Sequence, residues 1–156
     1  MRTVASAVFS SLFLVLVAAV PAHADDGTVN QVAQFANNGV VAEIDTYTNK
    51  NVVVAILVLK ANGQTQTFAF DRNDWPAVER LWNAARDVNG QQYVSIGSLA
   101  EVGTTEKCVL LAASGPTVRL TIVSPIAGAL TFDLSREEVQ DFDAKLRQAA
   151  SVTTAS

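Results

Sequence analysis

Ionisable and aromatic side chains crowd one short segment, FAFDRNDWPAVERLW, which runs from Phe68 to Trp82. The segment holds the carboxylates Asp71, Asp74 and Glu79, together with two arginines and two tryptophans. Paired carboxylates can perform acid–base chemistry, and tryptophans can hold an apolar ligand. The same residue types are also common where a strand is followed by a helix. The segment can therefore be interpreted as a strand–helix junction as well as a functional site.

Histidine chemistry is excluded once the N-terminal segment is removed, because His23 is the single histidine of the sequence. A Ser-His-acid triad and a Cys-His pair are then impossible. Cys108 is the single cysteine, and one thiol cannot build a tetrahedral zinc site. We therefore predict no catalytic residue, no metal ligand and no cofactor. Any remaining chemistry depends on carboxylates, lysine, tyrosine or the thiol.

Cys108 lies in the segment TTEKCVLLAAS, which has the composition of a strand. We predict a buried core position for it, with Leu110 and Ala112 on the same face, because free cysteine is among the most buried residue types. The alternative is a reactive thiol or an intermolecular disulfide. Lys107 points to the opposite strand face and so is not expected to lower the thiol pKa.

The first 24 residues have the three-part pattern of a secretory signal peptide. Arg2 precedes an apolar run over 4–20, and the small residues of AHA at 22–24 mark a cleavage site between Ala24 and Asp25. A transmembrane anchor is the rival interpretation. The run is short for a membrane span, and no basic stop-transfer cluster follows it.

Removal of the signal leaves 156 − 24 = 132 residues with 10 basic and 15 acidic side chains, a net charge of −5. This acidic balance argues against nucleic acid and anionic lipid as partners. The chain has neither an intrachain cysteine pair nor an Asn-x-Ser/Thr sequon. An exported chain without these devices favours the bacterial periplasm or the bacterial extracellular medium.

Strand and helix patterns alternate through the rest of the chain. Strands are predicted where apolar residues alternate or run together, at 40–48, 52–60, 65–71, 105–113, 117–123 and 129–134, with a further short strand within 93–106. One helix is expected to begin at an Asn73 cap and to end at an Asn89-Gly90 left-handed cap. Its apolar stripe comprises Trp75, Val78, Leu81, Trp82 and Ala85.

A second helix begins at Ser135, where Glu138 completes a capping box. Its stripe comprises Val139, Phe142, Leu146 and Ala149. The two helices align at an offset of about 61 residues and the preceding strands at about 62, which predicts a pseudo-repeat of 40–89 on 104–150. Duplication of an ancestral unit and convergence on one structural pattern both explain this repeat. As members of a helix stripe that faces a sheet, Trp75 and Trp82 are predicted to be core residues.

The strand at 52–60 is apolar on both faces, which predicts a central strand covered on both sides. The segment Thr28 to Asn38 carries Val29, Val32 and Phe35 at helical spacing. Within an N-terminal segment 25–39, it is expected to fold as a helical lid over this strand. A second copy of the protein is the alternative cover, so a monomer is favoured and a homodimer stays open.

The sequence therefore predicts a single α+β domain over 40–150, with two strand-rich units each closed by an amphipathic helix, a mostly antiparallel sheet and a disordered tail at 151–156. The function favoured is an exported, non-catalytic bacterial envelope protein that binds a protein, a peptide or a small apolar ligand. The alternative is a histidine-free hydrolase or lyase that works with carboxylates.

We expect the protein recovered from the cell envelope to begin at Asp25, because a signal peptidase would remove residues 1 to 24. Osmotic shock should release it without detergent. Intact-mass measurement checks the start point, and a mass that retains residues 1 to 24 would contradict the signal-peptide interpretation.

Overall fold

The computed structural model describes residues 27–50, 52–101 and 107–154. The first unit comprises β1 (Thr28–Asn37), β2 (Val40–Asn49), β3 (Val52–Ala61), β4 (Gln64–Phe70) and α1 (Trp75–Arg86). The second comprises β5 (Val94–Ala100), β6 (Cys108–Ala113), β7 (Thr117–Ser124), β8 (Gly128–Ser135) and α2 (Arg136–Thr154). The predicted signal peptide and its cleavage site lie outside the described residues.

The strands form two antiparallel four-stranded sheets, each a simple meander. Sheet A has the order β1-β2-β3-β4 and sheet B the order β5-β6-β7-β8. This confirms the α+β class and the antiparallel pairing. The links within each sheet are short, which permits antiparallel neighbours without crossovers. Each meander ends in one helix, so the pattern ββββα occurs twice.

The predicted helical lid over Thr28–Asn38 is wrong, because these residues form β1 at the edge of sheet A. The decisive signal is the pair Asn38-Gly39, whose φ angles of 50° and 78° are both positive. Two consecutive positive φ angles are what a two-residue type I′ hairpin requires, and Asn-Gly is its preferred sequence. The turn aligns β1 with β2, and the hydrogen-bonded ladder replaces the helix.

Both N-terminal edge strands carry a β-bulge. The register shifts between Gln31 and Ala33 in β1, and between Ser95 and Gly97 in β5. In each case the extra residue, Val32 or Ile96, packs against the core. A bulge twists an edge strand away from further pairing, so the two edges are protected in the same way.

The two helices are exchanged between the sheets. Helix α1 follows sheet A but packs on β5 and β6 of sheet B, whereas α2 follows sheet B and packs mainly on β1, β2 and β3 of sheet A. Gly97 permits the first of these contacts, because a Cβ there would lie only 2.7 Å from Leu81 Cδ2. Each helix therefore covers the inner face of the sheet that belongs to the other unit.

Aromatic rings join the two halves at the centre of the core. The Phe142 ring of α2 lies 5.1 Å from that of Trp82 in α1 and 5.2 Å from that of Phe35 in β1, measured between centroids. Phe142 is 1 % and Trp82 2 % exposed. The predicted core role of the helix stripes is confirmed for these residues. An apolar void of about 30 Å³ remains beside them, roughly the volume of one water molecule.

The ends of α1 differ from the prediction. Asp74 occupies the N-cap position instead of Asn73, and its side chain makes no capping hydrogen bond. The Asp74 carboxylate is turned back to accept a bond from the Asp71 backbone N–H at 3.0 Å. At the other end the helix stops at Arg86, with Asp87 in a right-handed conformation. The predicted left-handed cap at Asn89-Gly90 is therefore wrong.

The predicted capping box at the start of α2 is confirmed. The Ser135 backbone N–H donates to Glu138 Oε2 at 2.8 Å, and the Glu138 N–H donates to Ser135 Oγ at 3.3 Å. Beyond the predicted end at residue 150, α2 continues to Thr154, and Thr153 is buried with its hydroxyl donating to Ala150 O at 2.7 Å. The prediction of a disordered tail is thus wrong for residues 151–154.

Arg136, the first residue of α2, ties several distant segments together. Its guanidinium donates to the backbone carbonyls of Ser114 at 2.7 Å and Arg86 at 2.9 Å, and also to those of Val88 and Gly115. These carbonyls belong to the end of α1 and to the turn after β6. Hydrogen bonds from a charged donor are stronger than those between neutral groups. One side chain therefore fixes the end of α1, the β6–β7 turn and the start of α2.

Trp82→Ala should lower the free energy of unfolding by about 3 to 5 kcal/mol, because it removes a large ring from a close-packed core. The control Ser135→Ala removes only a helix cap and should lower it by about 1 kcal/mol. Chemical denaturation of the three proteins measures both effects. An unchanged unfolding curve for Trp82→Ala would contradict the core assignment.

Candidate functional site

Sheet A has one face packed against α2 and another that faces away from the core. On β3 the inner face presents Ala55, Leu57 and Leu59, which are all buried. The outer face presents Val52, Val54, Ile56 and Val58, so it is also apolar. The interior position of β3 is confirmed by the strand order. Within the described residues, both helices lie on the inner side, so the predicted second cover is not supplied by either of them.

The open part of this outer face is a strip near the β2–β3 turn. Its members, which we call the outer strip, are aligned side by side by the strand register: Val29, Tyr47, Val52, Val54 and Ile56. Val29 is 59 % and Val52 50 % exposed, and the other three are half-buried. Farther along β3, Val58 is only 6 % exposed. The accessible apolar surface is therefore concentrated at one end of the sheet.

Three charged side chains share this face with the outer strip. Glu43 and Asp45 alternate along β2, and Lys60 extends from β3. The Lys60 ammonium donates to Glu43 Oε2 at 2.6 Å, so that carboxylate is paired with a cation. Asp45 stands opposite Ile56 in the register and is the acid nearest the centre of the strip.

Of these three side chains, Asp45 has the fewest hydrogen-bond partners. Its Oδ1 is buried and has no hydrogen-bond donor among the described residues. Burial raises the pKa of Asp45 above its ordinary value, and the neighbouring Glu43 carboxylate raises this pKa further. Lys60 acts in the opposite direction and offsets part of the shift. Desolvation is the main cause, since the ionised form of a carboxyl group loses its hydration in an apolar environment.

A groove of about 420 Å³ opens beside the outer strip. It lies between the β2–β3 turn, the β4–α1 junction and the end of α2, and it shares Val52 and Val54 with the strip. Its polar lining includes Lys50, Arg72 and Thr153. The segment FDRND at the β4–α1 junction therefore borders this groove.

Asp71 within that segment is occupied by its own turn. Its carboxylate accepts from the Asn73 backbone N–H at 2.7 Å, the Asn73 side-chain amide at 3.2 Å and the Asp74 N–H at 3.3 Å. These bonds orient the side chain toward the backbone and shape the entry to α1. The structural interpretation of the junction therefore accounts for the orientation of Asp71, which lines the groove together with Arg72 and Asn73.

The edge of sheet A at β4 is closed by the second unit. Glu101 Oε1 accepts a hydrogen bond from the Ala69 backbone N–H at 2.8 Å. Lys107 pairs with Glu101 at 3.1 Å and donates to Thr67 Oγ1 at 3.5 Å. Thr67 lies on the outer face of β4. Among the described residues, access to the outer face is thus limited on the β4 side and open on the side of the β2–β3 turn.

Cys108 does not lie in the core, so that prediction is wrong. The inner face of β6 carries Val109, Leu111 and Ala113, which are buried, whereas Cys108 is half-buried on the opposite face and its neighbour Leu110 is 40 % exposed. The apolar character of both faces of this strand concealed its orientation. Cys108 belongs to the outer face of sheet B.

The outer face of sheet B has its charges paired. Arg119 binds the Asp133 carboxylate through two bonds of 2.7 and 2.8 Å, and its guanidinium lies 4.3 Å from the centre of the Tyr93 ring. Thr121 and Thr131 share a hydrogen bond of 3.0 Å beside this pair. In the part of this face that the structure describes, no side chain is a buried, unpaired acceptor like Asp45 on sheet A.

Glu43, Asp45 and Lys60 were not predicted as a group. The acids were visible as alternate residues in VVAEIDTYT, which places them on one strand face. Lys60 joins them only through the β2–β3 register.

No helix in the described parts of the chain is long and apolar enough to cross a membrane. The same residues contain no group of three or more histidine, cysteine or acidic side chains placed to hold a metal ion. Comparison with models of protein families and with curated proteins gives no match.

Asp45→Asn should raise the free energy of unfolding at about pH 7 by up to about 1 kcal/mol, because a desolvated charge is removed. Since the pKa of Asp45 is raised on folding, the wild type gains stability as the carboxyl becomes protonated, and the advantage of the variant should shrink below about pH 4. Denaturant titrations at the two pH values measure this difference.

Asp133→Asn is the matched control. It breaks the paired bonds to Arg119, so at neutral pH it should be neutral or destabilising by up to about 1 kcal/mol. A loss of stability in Asp45→Asn comparable with that of Asp133→Asn would show that Asp45 is well satisfied in the folded protein.

Proposed function

We propose that this chain is an exported, non-catalytic protein of the bacterial envelope that binds a protein or peptide partner through the outer strip and the adjoining groove. The observation that carries the proposal is the apolar outer face of β3, where Val52, Val54 and Ile56 have no helix of the described chain over them. A contiguous exposed apolar patch on a folded protein is typical of a site for another macromolecule.

The shapes of the cavities favour a protein or peptide over a small apolar ligand. The interior void of about 30 Å³ has an entirely apolar lining but is too small for an organic molecule. The groove of about 420 Å³ is large enough, but its walls carry Lys50, Asp71 and Arg72. A peptide can lay apolar side chains on the outer strip and place polar groups in the groove.

The place of action in this proposal follows from the N-terminal sequence. A signal peptide cleaved between Ala24 and Asp25 directs the chain to the periplasm or to the extracellular medium. The two ββββα units then act as a single domain closed by its two amphipathic helices. The acidic net charge supports a partner other than nucleic acid.

A carboxylate-dependent hydrolase or lyase is the second candidate function. It is favoured by Glu43 and Asp45 on one strand face, with the pKa of Asp45 raised by burial. Against it, Glu43 is held by Lys60 at 2.6 Å, and neither carboxylate lines the groove. Turnover of chromogenic glycosides that disappears in both Glu43→Gln and Asp45→Asn would favour the enzyme.

Site-specific crosslinking in intact cells tests the proposed function. A photo-reactive amino acid replaces Ile56 on the outer face of sheet A, and a matched variant carries it at Thr131 on the outer face of sheet B. We expect a crosslinked product from position 56 and none from position 131. Val52→Asp, at an exposed position, should suppress the product by placing a charge in the apolar strip.

Equal products from both positions, or a product at 56 that Val52→Asp leaves unchanged, would show that the outer strip is not the binding surface.

A further inference from the structure

The starting observation is the local environment of Asp45. Its Oδ1 is buried without a donor among the described residues, and its cross-strand neighbours in the register are Gln31 and Ile56. Lys60, the cation nearest in the sheet, already donates to Glu43 at 2.6 Å. A buried acceptor without a donor is unfavourable for folding, so the sheet holds a group that its own residues leave unsatisfied.

The surroundings of this acceptor narrow the kind of group that would satisfy it. Ile56 of β3 stands opposite Asp45, and Tyr47 and Val54 form the next cross-strand pair, so these three side chains give the site an apolar rim toward the β2–β3 turn, with Gln31 on the β1 side. The three charged residues of the face, Glu43, Asp45 and Lys60, sum to −1. A cationic group would neutralise this excess at the Asp45 carboxylate, and charge-assisted bonds are the stronger kind in a desolvated site.

We infer that the outer strip recognises a segment of a partner protein that presents one lysine or arginine between apolar side chains, with the cation placed over Asp45. This inference rests on the proposed function, because it names the chemistry of the partner at the same surface. The apolar side chains of the segment cover Val52, Val54 and Ile56, and the cation pairs with the Asp45 carboxylate, which forms no ion pair with another described residue.

A second copy of this chain fits the surface less well. Packing two identical outer faces together would bring two Asp45 carboxylates into one apolar interface, and each copy would contribute the same excess of negative charge. Like charges in a desolvated interface oppose association strongly. The bulge in β1 likewise opposes edge-to-edge pairing of two copies of sheet A. Charge complementarity therefore favours a partner of different sequence.

The inference is tested with random peptides displayed on phage and selected on the exported protein. We expect the selected peptides to carry a lysine or arginine flanked by apolar residues. Their affinity should fall by about tenfold or more for Asp45→Asn, which loses one charge-assisted bond. Asp133→Asn is the matched control, and it should leave the affinity unchanged because its carboxylate lies on sheet B.

A charge exchange distinguishes the loss of a direct contact from a folding defect of the variant. Asp45→Lys should lose the basic peptides but bind the same peptides when their basic residue is replaced by glutamate. Recovery of binding by this exchange requires a direct pairing at position 45. It would not arise from a general loss of structure.

Three results would overturn the inference. Selection could give no peptides, or peptides without a basic residue. Selected peptides could also bind Asp45→Asn and the wild type equally, in which case crosslinking at position 56 would still uphold the proposed function. Finally, sedimentation could show a dimer that Ile56→Lys dissociates, which would identify a second copy as the occupant.

Discussion

The exchange of helices between the two sheets is the constraint on which the rest of the structure depends. Phe142 of α2 reaches Phe35 of sheet A and Trp82 of α1 at once, so neither sheet has a complete core without a residue from the other unit. Because both helices are occupied on the inner side, the outer faces of the sheets are left to other roles. The apolar outer strip exists as a surface for this reason.

The sequence was most informative where local chemistry and tertiary structure agree. The capping box at Ser135 and the helix stripes through Trp82 and Phe142 were predictable because spacing and capping act over one helical turn. The assignment failed at β1, where the bulge at Val32 shifts the phase of the side chains and disguises strand alternation as helical spacing. The stronger local signal there is the Asn-Gly pair at 38–39, which recurs with similar positive φ angles in the β3–β4 turn at 62–63.

The candidate site was predictable only in part. The apolar outer face of β3 could be seen in VVVAILVL, and so could the need for a second cover. It could not be predicted that Asp45 is the unsatisfied group, because its desolvation depends on its placement between Gln31 of β1 and Ile56 of β3. Burial of that kind depends on strand register, which a single sequence does not specify. The orientation of Cys108 could not be predicted because both faces of β6 are apolar.

The contacts of Arg136 also determine when the chain can finish folding. Its guanidinium binds carbonyls that lie 50, 48 and 22 residues earlier in the sequence, and Phe142 closes the core against β1. Contacts between such distant residues form late and slow the folding reaction. A chain that emerges N-terminus first therefore keeps the inner face of sheet A exposed until its last helix has emerged. The core of sheet A can therefore be completed only after α2 has been synthesised.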